Sequence, residues 1–410
     1  MAHDLATIGR NLKEARNNRN MSQDEAAKAI GVSRTAIVQM EAGAREINTF
    51  ELETLAELYG RSAAELLTGE VSKEDFMVRL HRFTGESKES PEIKDEVEKW
   101  VEICRTGIDL ESKLGRSPRL GPPCYDIPGP TNAIQAIRQG EEIAEEERKR
   151  LAVGTAPIAD MADLLSAQGI WASGANFPEE MSGLFLHDPS LGLVILVRYG
   201  HPRGRKRFSY AHEYAHALLD RQGSLQVTSR QNSEQLMEKR ANAFAARFLV
   251  PKAGVEAFLH SLNKGSSSRQ AYHIYDVTTE DTAVETERRF SAADLSISYR
   301  DAALVAVHFG VSYQVAVYRL SDLGFVRRQE QKVLLEQQPE AQAYLEILGK
   351  WDSIAQPGVD DREIVAQIVP LAIESRRREK ITSARLMEIA RLLEIEQPTI
   401  KKLSTLFGSK

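Results

Sequence analysis

Apolar positions recur every three to four residues along most of this chain, the spacing that gives a helix one buried stripe. Ile8, Leu12 and Ala15 open the series, followed by Ala26, Ala27 and Ile30 and then by Ile37 and Met40. The period changes in the middle of the chain. GIWAS (169–173), GLFLH (183–187) and LGLVILV (191–197) are short apolar runs that read as strands, the last two forming a hairpin across HDPSLG. Helical spacing returns in a segment beginning near Lys206, in another over about 233–249 that stops at Pro251, and from 292 to the end. The expected fold is mainly α with one small β-sheet, an α+β protein.

Breaks in this pattern divide the chain. Residues 1–70 form an all-α unit of short helices. Residues 71–131 are a helical stretch followed by SPRLGPPCYDIPGPT, whose prolines and glycines exclude regular helix and central strand and make it a linker. Residues 132–263 hold the strands and the longest helical signals. Residues 264–287 are polar, rich in Ser and Thr, and read as a flexible loop. Residues 288–328 repeat a helix, Gly-Val-Ser turn, helix pattern, with Val315, Ala316, Val317 and Leu320 making the second helix a packing element. Residues 329–410 are helical and possess no motif that names a ligand, which leaves a regulatory module as the expectation.

The first unit has a readable logic. Ser22 with Glu25 three residues on makes a capping box, Gly31 ends that helix in a tight turn, and Ser33 caps the next. Two short helices joined this way are a helix-turn-helix. Ser33, Arg34, Thr35, Val38 and Gln39 face outward on the second helix. Arg pairs with guanine edges and Gln with adenine, while Ser and Thr reach bases or phosphates. Residues 1–70 carry 8 Lys and Arg against 11 Asp and Glu, yet residues 10–34 carry six basic side chains (Arg10, Lys13, Arg16, Arg19, Lys28, Arg34) against three acidic ones. The segment MSQDEAAKAIGVSRTAIVQMEAG, with the helix at 49–58 and SAAELL at 62–67, resembles the XRE, or Cro/repressor-like, family of DNA-binding domains. The resemblance implies Gln23 near a phosphate of double-stranded operator DNA and a base-reading role for Arg34, Thr35 and Gln39. It also makes a homodimer on a palindromic site an expectation.

FSYAHEYAHALLD (208–220) carries the chemistry. His212 and His216 are four apart on a helical run, so both imidazoles enter one volume. Zinc accepts two such nitrogens. Glu213 is about 100° round the helix from His212, where it serves as a base for a water activated by the metal rather than as a ligand. The alternative for two histidines at this spacing is a pair of satisfied core residues. A catalytic zinc needs a third protein ligand. The helix QNSEQLMEKRANAFAARFLVP (231–251) offers Glu234 and Glu238. Glu238 lies three residues before Ala241, on the packed side, and is the choice, while Glu234 sits one turn further out as a solvated charge. Asn242 and Asp220 are candidates to orient the histidines. Tyr210, His187 and His201 are candidates to stabilise the transition state.

FSYAHEYAHALLD followed by EKRANAFAARFLVP resembles the ImmA/IrrE family of metallopeptidases over about residues 133–328. The resemblance implies a zincin-like domain, Zn2+ bound by His212, His216 and Glu238, Glu213 as general base, and an XRE-type repressor as the peptide substrate. Because an XRE-like module sits on the same polypeptide, its own chain is a second candidate substrate, through the linker at 117–131 or the loop at 264–287. The reading is a transcriptional regulator that ends repression by zinc-dependent proteolysis. The alternative is a DNA-binding factor whose peptidase-like domain senses a ligand or partner without cutting.

Composition narrows this little further. The net charge of −6 gives no global nucleic-acid signature, so DNA contact must be local. Two cysteines, Cys104 and Cys124, exclude a disulfide framework and a cysteine zinc site. The longest aliphatic run is far short of the roughly 20 residues of a membrane span, and the charged N-terminus lacks an apolar signal region. The expected location is cytoplasmic, on the nucleoid when DNA-bound, with no membrane partner.

Overall fold

The computed structural model describes residues 5–18, 21–59, 63–68, 90–188, 191–221, 225–229, 236–264, 269–275, 283–289, 296–357 and 363–395. The N-terminal unit comprises α1 (Leu5–Asn18), α2 (Gln23–Ile30), α3 (Arg34–Glu41), α4 (Thr49–Tyr59) and α5 (Ala63–Thr68). Ser22 and Glu25 form the capping box of α2, Gly31 ends it at φ 72°, and the Ser33 side chain accepts from the Ala36 amide to start α3. Leu12, Ala26, Ala27, Ile37, Met40, Leu55 and Leu66 close its core. Arg16 is buried there and meets Glu41 through two hydrogen bonds, of 2.6 and 3.1 Å. Removing one member of such a pair costs about 3–5 kcal/mol, so Arg16 belongs to the fold and not to the basic surface expected of residues 10–34.

Most of the remaining described elements build or cover a four-stranded sheet. They are α6 (Ser90–Lys113), α7 (Ala133–Arg150), α8 (Met161–Ala167), β1 (Ile170–Ala175), β2 (Met181–Asp188), β3 (Gly192–Arg198), α9 (Arg203–Leu219), β4 (Leu225–Ser229), α10 (Leu236–Leu249) and α11 (Lys252–Ser261). The sheet order is β1-β3-β2-β4, with β1 parallel to β3 and the other pairs antiparallel. Alternate residues supply two cores. Ala172, Phe185 and Ile195 face α9 and α10, whereas Trp171, Leu184, Leu186, Val194 and Leu196 face the other way. That second face is covered by α6 together with α17 (Glu363–Arg377) and α18 (Ser383–Leu392). The intervening helices are α12 (Tyr299–Phe309), α13 (Tyr313–Asp322), α14 (Arg328–Glu336), α15 (Gln338–Ile347) and α16 (Asp352–Ala355).

The helical part of segment 71–131 contributes α6 to the layer beneath the sheet, and segment 329–410 contributes α17 and α18. In α6, Gly107 leaves room for the Trp171 indole: a Cβ there would lie 2.6 Å from its ring. The Arg119 guanidinium covers the same ring at 3.4 Å. The Pro-rich stretch is a docked strap. The Tyr125 amide donates to the Leu218 carbonyl at 2.8 Å, and Arg221 donates to the carbonyls of Pro122 and Pro123.

Residues 264–287, expected as loop, contribute to an antiparallel hairpin of β5 (Arg269–Tyr275) and β6 (Ala283–Arg289). Tyr272, Ile274, Val284 and Thr286 are strand-favouring types. Helices α12 and α13 join through Gly310 at φ 65° and the cap Ser312, the same turn as α2–α3. The second helix is buried in the peptidase-like core through Ala316, Val317 and Leu320, which makes it a packing element. Among the described residues no single helix is long and apolar enough to cross a membrane.

Candidate metal centre

Helix α9 delivers the two histidines and α10 the glutamate. Their separation is set by aromatic packing: Tyr214 of α9 meets Phe244 and Phe248 of α10 at 5.9 and 5.8 Å between ring centres. On the far side of α10, a Cβ at Gly140 of α7 would lie 2.9 Å from the Phe244 nitrogen, so glycine allows the close approach of these helices. Glu147 of α7 is fully buried, accepting from Tyr214 and Tyr125 hydroxyls at 2.7 Å and from Arg150 at 2.7 and 2.8 Å. The metal helix and the strap are therefore tied to one carboxylate.

His212, His216 and Glu238 are all buried, with ligand atoms within 4.8 Å of one another. The two Nε2 atoms are 3.2 Å apart; Glu238 Oε2 lies 3.1 Å from His212 Nε2, and its Oε1 lies 3.6 Å from His216 Nε2. Two ligands at 2.0–2.1 Å on a tetrahedral zinc are separated by ~3.3 Å, so the donor set fits that ion. Each outer nitrogen is fixed. His212 Nδ1 donates to Asn242 Oδ1 at 3.0 Å and His216 Nδ1 to Asp220 Oδ2 at 2.8 Å. This tautomer leaves both Nε2 lone pairs facing the cluster. Glu238 and Asn242 are four apart on α10, so one face of that helix holds both edges of the His212 ring. Arg240 in turn bridges to Asp220 Oδ1.

The charges follow from this packing. Burial alone would lower the His216 pKa, but the Asp220 hydrogen bond and the nearby carboxylates outweigh it and raise it. Burial would raise Asp220, and the contacts with His216 and Arg240 reverse the sign and hold it low. Asp220→Asn is expected to weaken zinc binding by about 10–100-fold, the usual effect of losing a partner behind a metal-ligating histidine. Chelator competition would measure it, and unaltered affinity would remove Asp220 from the account.

Glu213 points to the sheet. A Cβ at Gly183 of β2 would lie 2.9 Å from Glu213 Cδ and nearer still to its Oε1. The strand thus has glycine where the carboxylate sits, a signal not used in reading the sequence. Tyr210 does not join the cluster. It is two residues before His212, about 200° round the helix, and its hydroxyl donates to Glu363 Oε2 of α17 at 3.1 Å, beside the Lys206–Glu363 ion pair. His187 Nδ1 is 3.2 Å from the Arg221 carbonyl at the end of the metal helix. His201 is buried after β3, 1% exposed.

In the N-terminal unit, Ser33, Arg34, Thr35, Val38 and Gln39 are all exposed on one side of α3. The Gln23 amide donates to Glu41 Oε2 at 2.9 Å.

Matches to two family models make the chain a transcription regulator with a peptidase-like domain. The chain carries an XRE-type helix-turn-helix domain, whose family model matches residues 12–66, and an IrrE N-terminal-like domain, matched over residues 165–321. A comparison with curated proteins finds no match. Solved structures that align with the chain include PlcR of Bacillus thuringiensis in complex with the peptide PapR7 and DNA (10% identity, 98% of this chain, 95% of that chain, TM-score 0.15). Others are the competence regulator ComR in its apo form from Streptococcus vestibularis (9%, 99%, 99%, 0.15) and ComR from Streptococcus suis (11%, 99%, 95%, 0.16). TM-scores this low do not support a likeness of fold.

Proposed function

We propose that the chain is a zinc-dependent endopeptidase fused to its own DNA-binding domain, relieving repression by cutting itself or an XRE-type repressor. The observation that carries this reading is the outward anchoring of both Nδ1 atoms, by Asn242 and Asp220, around a buried His212, His216 and Glu238 cluster. Two core histidines have no need of a carboxylate shared between their Nε2 atoms. When bound there, zinc supplies a Lewis acid that polarises a peptide carbonyl. Glu213 takes the proton from the attacking water and returns it to the departing amine. The absence of a side chain at Gly183 of β2 leaves room for that carboxylate.

Glu213 is fully buried, so hydrolysis requires the packing around it to open before water and substrate enter. This burial also favours a second reading, a regulator that binds metal and responds to a partner without cutting. The two separate in one assay: zinc content of the purified chain beside its hydrolysis of a random peptide library. About one zinc per chain with cleavage supports the endopeptidase; zinc without cleavage supports the regulator; a chain that binds no zinc rejects both.

A further inference from the structure

We infer that the corner between α17 and α18 is a second nucleic-acid contact surface, which grips phosphates while the helix-turn-helix reads bases. Residues 374–385 carry Arg376, Arg377, Arg378, Lys380 and Arg385 against Glu374 and Glu379, with Arg385 paired to Glu388 at 2.8 Å. The fold gathers these charges. Arg376 Nε donates to Ser383 Oγ at 3.1 Å across the corner, joining the end of one helix to the start of the next. Glu379 adopts φ 56°, which makes the turn tight. Arg377 and Arg378 share the single carboxylate of Glu374, and their side chains remain 65% and 54% exposed. One negative charge thus offsets two positive ones, and Lys380 stands exposed beside them. Thr382 caps α18, so its first amides add the positive end of a helix to the same corner.

The charge balance of the N-terminal domain leaves a role for such a surface. Affinity for DNA comes chiefly from cations that displace counterions from phosphates. Residues 1–70 have more acidic than basic side chains. Of the six cations in residues 10–34, Arg16 is committed to Glu41 inside the core and Lys28 is paired with Asp24 at 2.9 Å. Arg10, Lys13, Arg19 and Arg34 remain of these six, and Arg34 lies on the base-reading face, so cations elsewhere on the chain would add to the grip on the backbone. The α17–α18 corner offers the complementary set, on the same polypeptide and rooted in the layer beneath the sheet.

Phosphate of duplex or of single-stranded DNA presents the same chemistry, and the test separates them. The full chain is titrated by fluorescence anisotropy against a labelled random-sequence duplex and a labelled random single strand over a range of salt. The triple variant Arg377→Gln, Arg378→Gln, Lys380→Gln is measured beside wild type, and Arg377→Glu with Lys380→Glu serves if the triple variant is poorly folded. Each lost phosphate contact lowers the slope of log K against log salt by about 0.9 on a duplex and about 0.7 on a single strand, so the triple variant should be shallower by roughly two to three. A change on one nucleic acid alone identifies the one that the corner binds. Slopes equal to wild type on both overturn the inference and leave the corner as a surface for an acidic protein or for solvent.

Discussion

Glu213→Gln is expected to hold zinc as wild type does and to lose hydrolysis by about 10²–10⁴-fold, the range that a positioned general base contributes. The amide is nearly isosteric with the carboxylate, so packing against Gly183 persists, while the group that accepts the proton is gone. The three candidate ligands are separate side chains, and Glu213 is about 100° round the helix from His212, so metal content is a control internal to the experiment. DNA binding should be unchanged, since the exposed face of α3 belongs to a different core from the one that holds α9. Steady-state kinetics on any cleaved library peptide would read the effect in kcat. A variant as active as wild type would mean that the buried carboxylate only fills space.

Gly183→Ala should be nearly as damaging, although residue 183 bears no functional group. Its new Cβ would lie 2.9 Å from Glu213 Cδ and 3.0 Å from Cγ. The strand has little freedom to retreat, because Gly183 is paired with Val197 of β3 on one side and Thr228 of β4 on the other. The carboxylate has to rotate instead. A displacement of about 1 Å in a catalytic group costs on the order of 10²-fold, so kcat should fall by about that factor. Zinc should remain, because its candidate ligands lie on α9 and α10. Parallel measurement of zinc content and kcat checks this, and loss of both together would indicate a general collapse of the sheet against α9.

Much of this site is legible in the sequence because it depends on local geometry. The spacing of His212 and His216 fixes two imidazoles on one helical face, and Glu238 shares a side of α10 with Ala241, which packs inward. The helix-turn-helix is legible for the same reason, since Ser22, Glu25, Gly31 and Ser33 act within a few residues of themselves. What escaped is long-range. Tyr210 adjoins the motif in sequence, but two residues along a helix point it away, toward Glu363, 153 positions later. Arg16 looks like part of a basic surface until Glu41 is brought to it by folding. The unbroken run LGLVILV carried a clue in plain view: a strand apolar at every position is buried on both faces. A second covering layer was therefore required, and α6, α17 and α18 provide it from helical stretches whose partner the sequence did not name. Proline and glycine in 117–131 exclude a helix there without excluding a docked strap, and the contacts of Tyr125 and Arg221 make it one.

On the proposed function, the strap bears on which bond would be cut. Residues 122–127 are pinned to the end of the metal helix and through Tyr125 to Glu147, which also receives Tyr214. Cutting inside this stretch in cis would require the strap to leave its site first. A signal that releases it would alter the anchoring of α9 and free the connection to the DNA-binding head in one event.

The most direct test of the central claim is an intact-mass comparison of zinc-loaded wild type with Glu213→Gln, each incubated alone and with a random peptide library. The account predicts products in the wild type alone, from the chain or from the library, whose masses sum to the parent plus one water. Wild type that leaves every bond intact, or Glu213→Gln that cuts the same bonds at the same rate, would contradict it.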